Sequence, residues 1–135
     1  MIHLTPRAAM QKLVDDISSD NWHELHMLYA PDAVVRHPIA RDERSLLQGR
    51  KGLKQHFERF FATGVKLRAT PIHFIDTTDP ELVIGSFTYH GEKGFGMEHF
   101  DLEACFIWRV RDGLILDTTD YLSPPVPPRD QTQEK

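Results

Sequence analysis

A single cysteine, Cys105, rules out an internal disulfide, so packing and hydrogen bonds must hold this fold. No apolar run is long enough to span a bilayer. The opening "MIHLTPRAAM" lacks the apolar stretch of a signal peptide, and a cytoplasmic protein with no membrane partner is expected. Positive charge is not in excess either. Sixteen Lys and Arg stand against 20 Asp and Glu, and a net charge of −4 argues against a nucleic-acid partner. The one locally basic stretch, from Arg36 through Arg41, Arg44, Arg50 and Lys51 to Lys54, reads as a solvated face. No cofactor motif appears, so no cofactor is expected. Eight histidines make no metal set: His23 and His26 are three apart on an expected helix, His99 and Asp101 two apart on a strand, and no His-x-His pair precedes a later Glu and His.

What is present is hydrophobic periodicity. At 135 residues the chain makes one domain, read as 1–122, followed by a proline-rich tail over 123–135 that is extended or disordered. "TPRAAMQKLVDDIS" starts with a Thr cap and a proline at the first helical position, and sets Met10, Leu13, Val14 and Ile17 on one stripe. "DNWHELHMLYA" puts Trp22, Leu25, Leu28 and Tyr29 on a second helical face, closed by Pro31. After the strand "DAVVRHP" and a polar loop from Ile39 to Gln48, "GRKGLKQHFERFFATG" repeats Leu53, Phe57, Phe60 and Phe61 at helical spacing, with Gly64 as its C-cap. Strands are expected near 65–75, 81–90, 97–111 and 114–122, separated by "DTTDPE", "HGEKGFG" and the tight turn "RDG". The fold class is therefore α+β, a mainly antiparallel curved sheet with three N-terminal helices closing over its concave face.

One ionisable ring stands out in this pattern. On the "DAVVRHP" strand, side chains two apart share a face, which groups Ala33, Val35 and His37 against Val34 and Arg36. Arg36 is costlier to bury, so it turns outward and His37 inward.

The order of helix, helix, "LYAPDAVVRHP", an aromatic helix, "GSFTYHGEK" and "CFIWRVRDGLILDTTDYLSPP" resembles the nuclear-transport-factor-2-like superfamily over residues 6–122. Within it the chain is most similar to the branch of ketosteroid isomerases, polyketide cyclases (SnoaL-like proteins) and phenazine-pathway proteins. The resemblance implies a cone of curved sheet and helices around a hydrophobic pocket, commonly dimerised through the outer sheet face. It places His37 where the isomerases carry their proton-transferring aspartate. An imidazole, with an ordinary pKa of about 6.5, can serve as base or acid there.

Leu13 and Ala104 stand where the isomerases carry their oxyanion donors, and neither side chain can donate. On the last strand the isomerase register turns Leu116, Thr118, Asp120 and Leu122 inward. Asp120 of "TDY" matches the functional carboxylate of limonene-epoxide hydrolases and phenazine-pathway proteins, although Thr119 replaces the preceding arginine. Pocket positions carried over from the isomerases are His56, Phe57, Phe87, Tyr89, Phe106 and Trp108, with Thr118 beside them, an aromatic lining suited to a small apolar or aromatic ligand. Cys105 faces away from that lining.

Two function classes follow. One is a cofactor-free enzyme of the isomerase, cyclase or dehydratase type, with His37 and Asp120 as its catalytic residues. The alternative is a non-catalytic module of the same fold that binds a small molecule or serves dimerisation.

Overall fold

In the computed structural model, residues 3–128 are described, and they form two α-helices and one curved, unclosed sheet of seven strands. Helix α1 (Pro6–Ser18) begins where Thr5 accepts a hydrogen bond from the Ala8 amide at 3.1 Å, with Pro6 at its first position. Its Met10, Leu13, Val14 and Ile17 stripe is buried against the sheet. The helix ends at Asp20, in the left-handed region at φ 61°, whose carboxylate binds Arg68 of strand β3 (Lys66–Ala69) at 3.1 Å. Helix α2 (Gly49–Ala62) buries Leu53, packs Phe57 and Phe60 against the core, and stops before Gly64 at φ 83°.

The expected helix over "DNWHELHMLYA" is replaced by a single 3-10 turn, Leu25–Leu28, so two α-helices stand where three were expected. The stretch is too short to be helical by propensity alone. Strand β1 (Tyr29–Arg36) claims its last two residues, Tyr29 pairing with Ile115. Pro31, expected to stop a helix, instead sits in the register irregularity between Tyr29 and Val34, where the missing N–H is tolerated.

The single strand expected at 65–75 is also two: β3, then β4 (His73–Asp76), both pairing with β5. Pro71, which cannot donate to a ladder, falls in the break. Strand β5 (Leu82–Gly94) runs past His90 to a two-residue turn, Phe95–Gly96. Strands β6 (Met97–Arg111) and β7 (Leu114–Leu122) have the expected bounds. They are joined by Asp112 and Gly113, both at positive φ, as a two-residue hairpin of opposite twist to ordinary turns requires.

The strand order is β2-β1-β7-β6-β5-β3, with β2 (Leu46–Gln48) at one edge. The β1–β7 pair is parallel and the others antiparallel. An irregularity at Arg109–Val110 shifts the start of β7, so Ile115 is fully buried and Leu116 only partly, a correction to the simple alternation expected there. The chain does not leave the body at 122. Ser123 bonds Glu103, and Val126 exchanges backbone hydrogen bonds with Asp101 at 2.8 and 3.1 Å. The rest of the expected tail, 129–135, lies outside the described residues.

Candidate active site

Strand β1 alternates as the sequence requires: Ala33 and Val35 are buried, and Arg36 points out to pair with Asp117 at 2.7 Å. One residue beyond the strand, His37 turns inward. Its amide donates to the Ser45 carbonyl at 2.9 Å, and its ring Nδ1 lies 2.7 Å from the Arg44 carbonyl oxygen. A carbonyl only accepts, so Nδ1 carries a proton, and Nε2 is the ring nitrogen left toward Asp120. Arg44 is itself held, since the Asp42 carboxylate accepts from its amide at 2.9 Å and from its Nε at 3.0 Å. The loop after β1 thus selects the tautomer of His37.

Nε2 faces Asp120 of β7, 3.7 Å from its Oδ2. That separation exceeds a hydrogen bond, so the carboxylate does not occupy Nε2, and both groups can reach one ligand atom. Asp120 is 6% exposed. Its Oδ1 accepts from the Trp108 indole at 2.7 Å, and its Oδ2 accepts a longer bond from the Thr118 hydroxyl at 3.4 Å. Burial pushes its carboxyl pKa up to about 6, while the nearby His37 charge and the Trp108 and Thr118 hydrogen bonds hold it down. His56 on α2 lies beside His37 with the two rings tilted and their centroids 5.8 Å apart. Burial, then the His37, Arg44 and Arg59 charges, push its pKa down to about 4, so it is a neutral wall of the site at pH 7.

The space in front of this pair is a cavity of about 1010 Å³ between α1, α2 and the concave sheet face. Of the residues expected around it, His37, Asp120, His56, Phe57, Tyr89 and Phe106 line it. Phe87, Trp108 and Thr118 stand behind the wall instead. Phe87 packs edge-on to Tyr89 and Phe106, at 4.8 and 5.2 Å between centroids. Trp108 and Thr118 are fully buried and direct their polar atoms at Asp120. These three are packed behind the lining residues rather than among them.

Sequence reasoning missed Tyr29 and the Arg44 carbonyl. Tyr29 lines the cavity from β1, having been read as part of a helical face, and its phenol is driven well above its ordinary pKa by burial, then by Asp120 and Tyr89. Nothing in local sequence marks a backbone carbonyl as the partner of a histidine seven residues away.

An imidazole oriented by a backbone carbonyl thus stands beside a buried carboxylate at the wall of the cavity. The chain belongs to the SnoaL-like domain family, whose model matches residues 10–118. It is 27% identical over 114 residues to an uncharacterised PhzA/B-like protein of Pseudomonas aeruginosa, covering 84% of this chain and 78% of that protein. Among solved structures, a candidate isomerase from Bacillus subtilis has TM-score 0.79 at 18% identity, covering 86% of this chain and 84% of its own. A candidate polyketide cyclase from Pseudomonas putida has TM-score 0.72 at 17% identity, covering 87% and 91%. The protein RV0760c of Mycobacterium tuberculosis, solved in complex with estradiol-17beta-hemisuccinate, has TM-score 0.71 at 19% identity, covering 86% and 92%. These likenesses show the cone fold. No helix among the described residues is long and apolar enough to cross a membrane.

Proposed function

We propose that this chain is a small, cofactor-free enzyme of the isomerase, cyclase or dehydratase type, acting by proton transfer on a small, mostly apolar or aromatic ligand. One observation carries the reading: the Arg44 carbonyl commits Nδ1 of His37, leaving Nε2 free toward the cavity beside a buried carboxylate 3.7 Å away. In this reading Nε2 takes a proton from the ligand and returns it. The resulting imidazolium is stabilised by ionised Asp120, whose raised proton affinity also lets it share the proton. A candidate isomerase and a candidate polyketide cyclase share this fold, which supports such a role.

The same reading includes a homodimer. The outer sheet face carries Ile84 beside Ile107 and Cys105 beside Tyr121, with Tyr121 42% exposed, an apolar set for a second copy to cover.

The test is hydrogen–deuterium exchange at carbon. Wild-type protein in D2O accelerates exchange of the hydrogens next to the carbonyl in members of a panel of cyclic and aromatic ketones, and His37→Gln abolishes the acceleration. His37→Gln loses one hydrogen bond, to Arg44, so stability falls by about 1 kcal/mol in urea titrations. Exchange that survives in the variant, or ligand binding by wild type without any exchange, overturns the enzyme reading.

A further inference from the structure

The hairpin between β5 and β6 carries an aromatic ring where turn chemistry favours a small polar residue. Gly94 pairs with Met97, so Phe95 and Gly96 are the two turn residues, at φ 55° and 74°. Asparagine or glycine suits the first of these positions, and a bulky side chain held there in the left-handed region is strained. Burial does not explain the choice, since Phe95 stays 44% exposed. Among the described residues three large aromatic side chains are exposed, Phe61, Phe95 and Tyr121, and of these Phe95 lines the cavity. Strain kept at such a place points to a use for the side chain.

The ring is also firmly supported. Phe95 stands edge-on to Phe100, 5.1 Å between centroids, and Phe100 is fully buried. Two glycines of β5 make room for Phe100: a side chain at Gly91 would collide with its ring, and one at Gly94 would come within 3.0 Å of it. Phe95 also meets Phe60 of α2, tilted at 6.1 Å. From there the rings run inward in series, Phe60 to His56 at 6.5 Å and His56 to His37 at 5.8 Å, and all three line the same cavity. A row of rings thus leads from the exposed hairpin tip to His37.

We propose that Phe95 is a specificity-determining residue: with Phe60 it forms an aromatic cleft at the cavity mouth that takes a planar ring of the ligand, remote from the end presented to His37. The ligand class this implies is an elongated molecule whose outer ring is aromatic. Edge-to-face or offset contact with Phe95 and Phe60 distinguishes such a ring from a saturated one of similar size, because a planar ring alone matches the charge pattern of aromatic faces and edges. This rests on the reading of the cavity as a ligand site made above, but not on the identity of the base. A residue kept only to tie the hairpin to α2 would bury its ring, whereas Phe95 leaves nearly half of it open to a ligand.

The experiment compares 4-phenylphenol with 4-cyclohexylphenol, which differ only in whether the outer ring is planar, by calorimetric titration of wild type, Phe95→Leu and Phe95→Asn. In wild type, intermolecular nuclear Overhauser effects connect the Phe95 ring with the outer ring of bound 4-phenylphenol. The ratio of 4-phenylphenol to 4-cyclohexylphenol affinity falls about fivefold in both variants. The affinity for 4-methylphenol, which lacks the outer ring, stays within about twofold in all three proteins. Phe95→Asn melts within about 4 °C of wild type, because a residue suited to the left-handed turn position offsets the lost contact of a half-exposed ring.

An unchanged ratio, no Overhauser contact between Phe95 and the outer ring, or a marked drop in the melting temperature of Phe95→Asn overturns the proposal, the last by making Phe95 a packing residue. The outcomes separate from those of the enzyme reading. A lowered ratio in the Phe95 variants while exchange survives in His37→Gln keeps Phe95 and refutes the base. An unchanged ratio while His37→Gln abolishes exchange keeps the base and refutes Phe95.

Discussion

Replacing Asp120 with Asn separates what burying this charge costs from what the charge does. Folding lifts the carboxyl pKa from 3.8 to about 6, mainly because burial disfavours the ionised form. A rise of roughly two units at about 1.4 kcal/mol each corresponds to about 3 kcal/mol of lost stability at neutral pH. The sign follows from proton counting. Below pH 3.8 the carboxyl is protonated in both the folded and unfolded chain, and burial carries no charge penalty. Between 3.8 and about 6 the folded protein holds a proton that the unfolded chain has released, so stability falls as pH rises. Above that window the loss is complete.

Asn has no such window and can still accept from the Trp108 indole through its amide oxygen. Urea titrations from pH 3.5 to 7.5 are therefore expected to show the two proteins nearly equal in acid and Asp120→Asn the more stable by about 3 kcal/mol at pH 7. The proposed exchange activity falls in the same variant, the pattern of a residue retained for function against stability. A stability difference that does not change with pH, or a variant less stable at pH 7, would show that Asp120 is a structural carboxylate and refute the argument.

Trp108→Phe removes the indole donor to Asp120 while keeping a ring stacked on Phe106, 5.7 Å away. With that bond gone the Asp120 titration moves to higher pH, and stability at pH 7 drops by about 1–3 kcal/mol, measured by pH-dependent urea titration. An unmoved titration would show that the indole does not tune the carboxylate. For assembly, light scattering at micromolar concentration reports a species of twice 15.6 kDa for wild type and a monomer for Ile107→Lys, which places a charge in the outer apolar set. A wild-type monomer refutes the dimer.

Much of the architecture was legible because its causes are local. Helix α1 follows from Thr5, Pro6 and a 3.6-residue stripe, α2 from its aromatic spacing and Gly64, and the β6–β7 hairpin from "RDG" between two alternating runs. The facing of His37 and Asp120 was legible in the same way, since a period of two fixes which side chains share a side of a strand. Where nearby residues pointed one way and distant partners another, the distant partners prevailed. Tyr29 and Ala30 carry a helical pattern, yet the free edge of β7 drew them into a parallel pairing. Pro71 divided what alternation read as one strand, and the irregularity at Arg109–Val110 exchanged Leu116 for Ile115 in the core.

The sequence by itself determined the residue types at the site: one imidazole and one carboxylate turned inward among aromatics, without the oxyanion donors at Leu13 and Ala104. Only the tertiary structure decided how those groups are used. The Arg44 carbonyl that fixes the His37 tautomer, the Trp108 indole on Asp120, the retreat of Phe87 and Thr118 behind the wall, and the Tyr89 hydroxyl left without a partner all depend on atoms brought together from separate strands and loops. Hydrogen-bond partnership and desolvation are properties of a three-dimensional neighbourhood, and the order of residues along the chain does not encode them one by one.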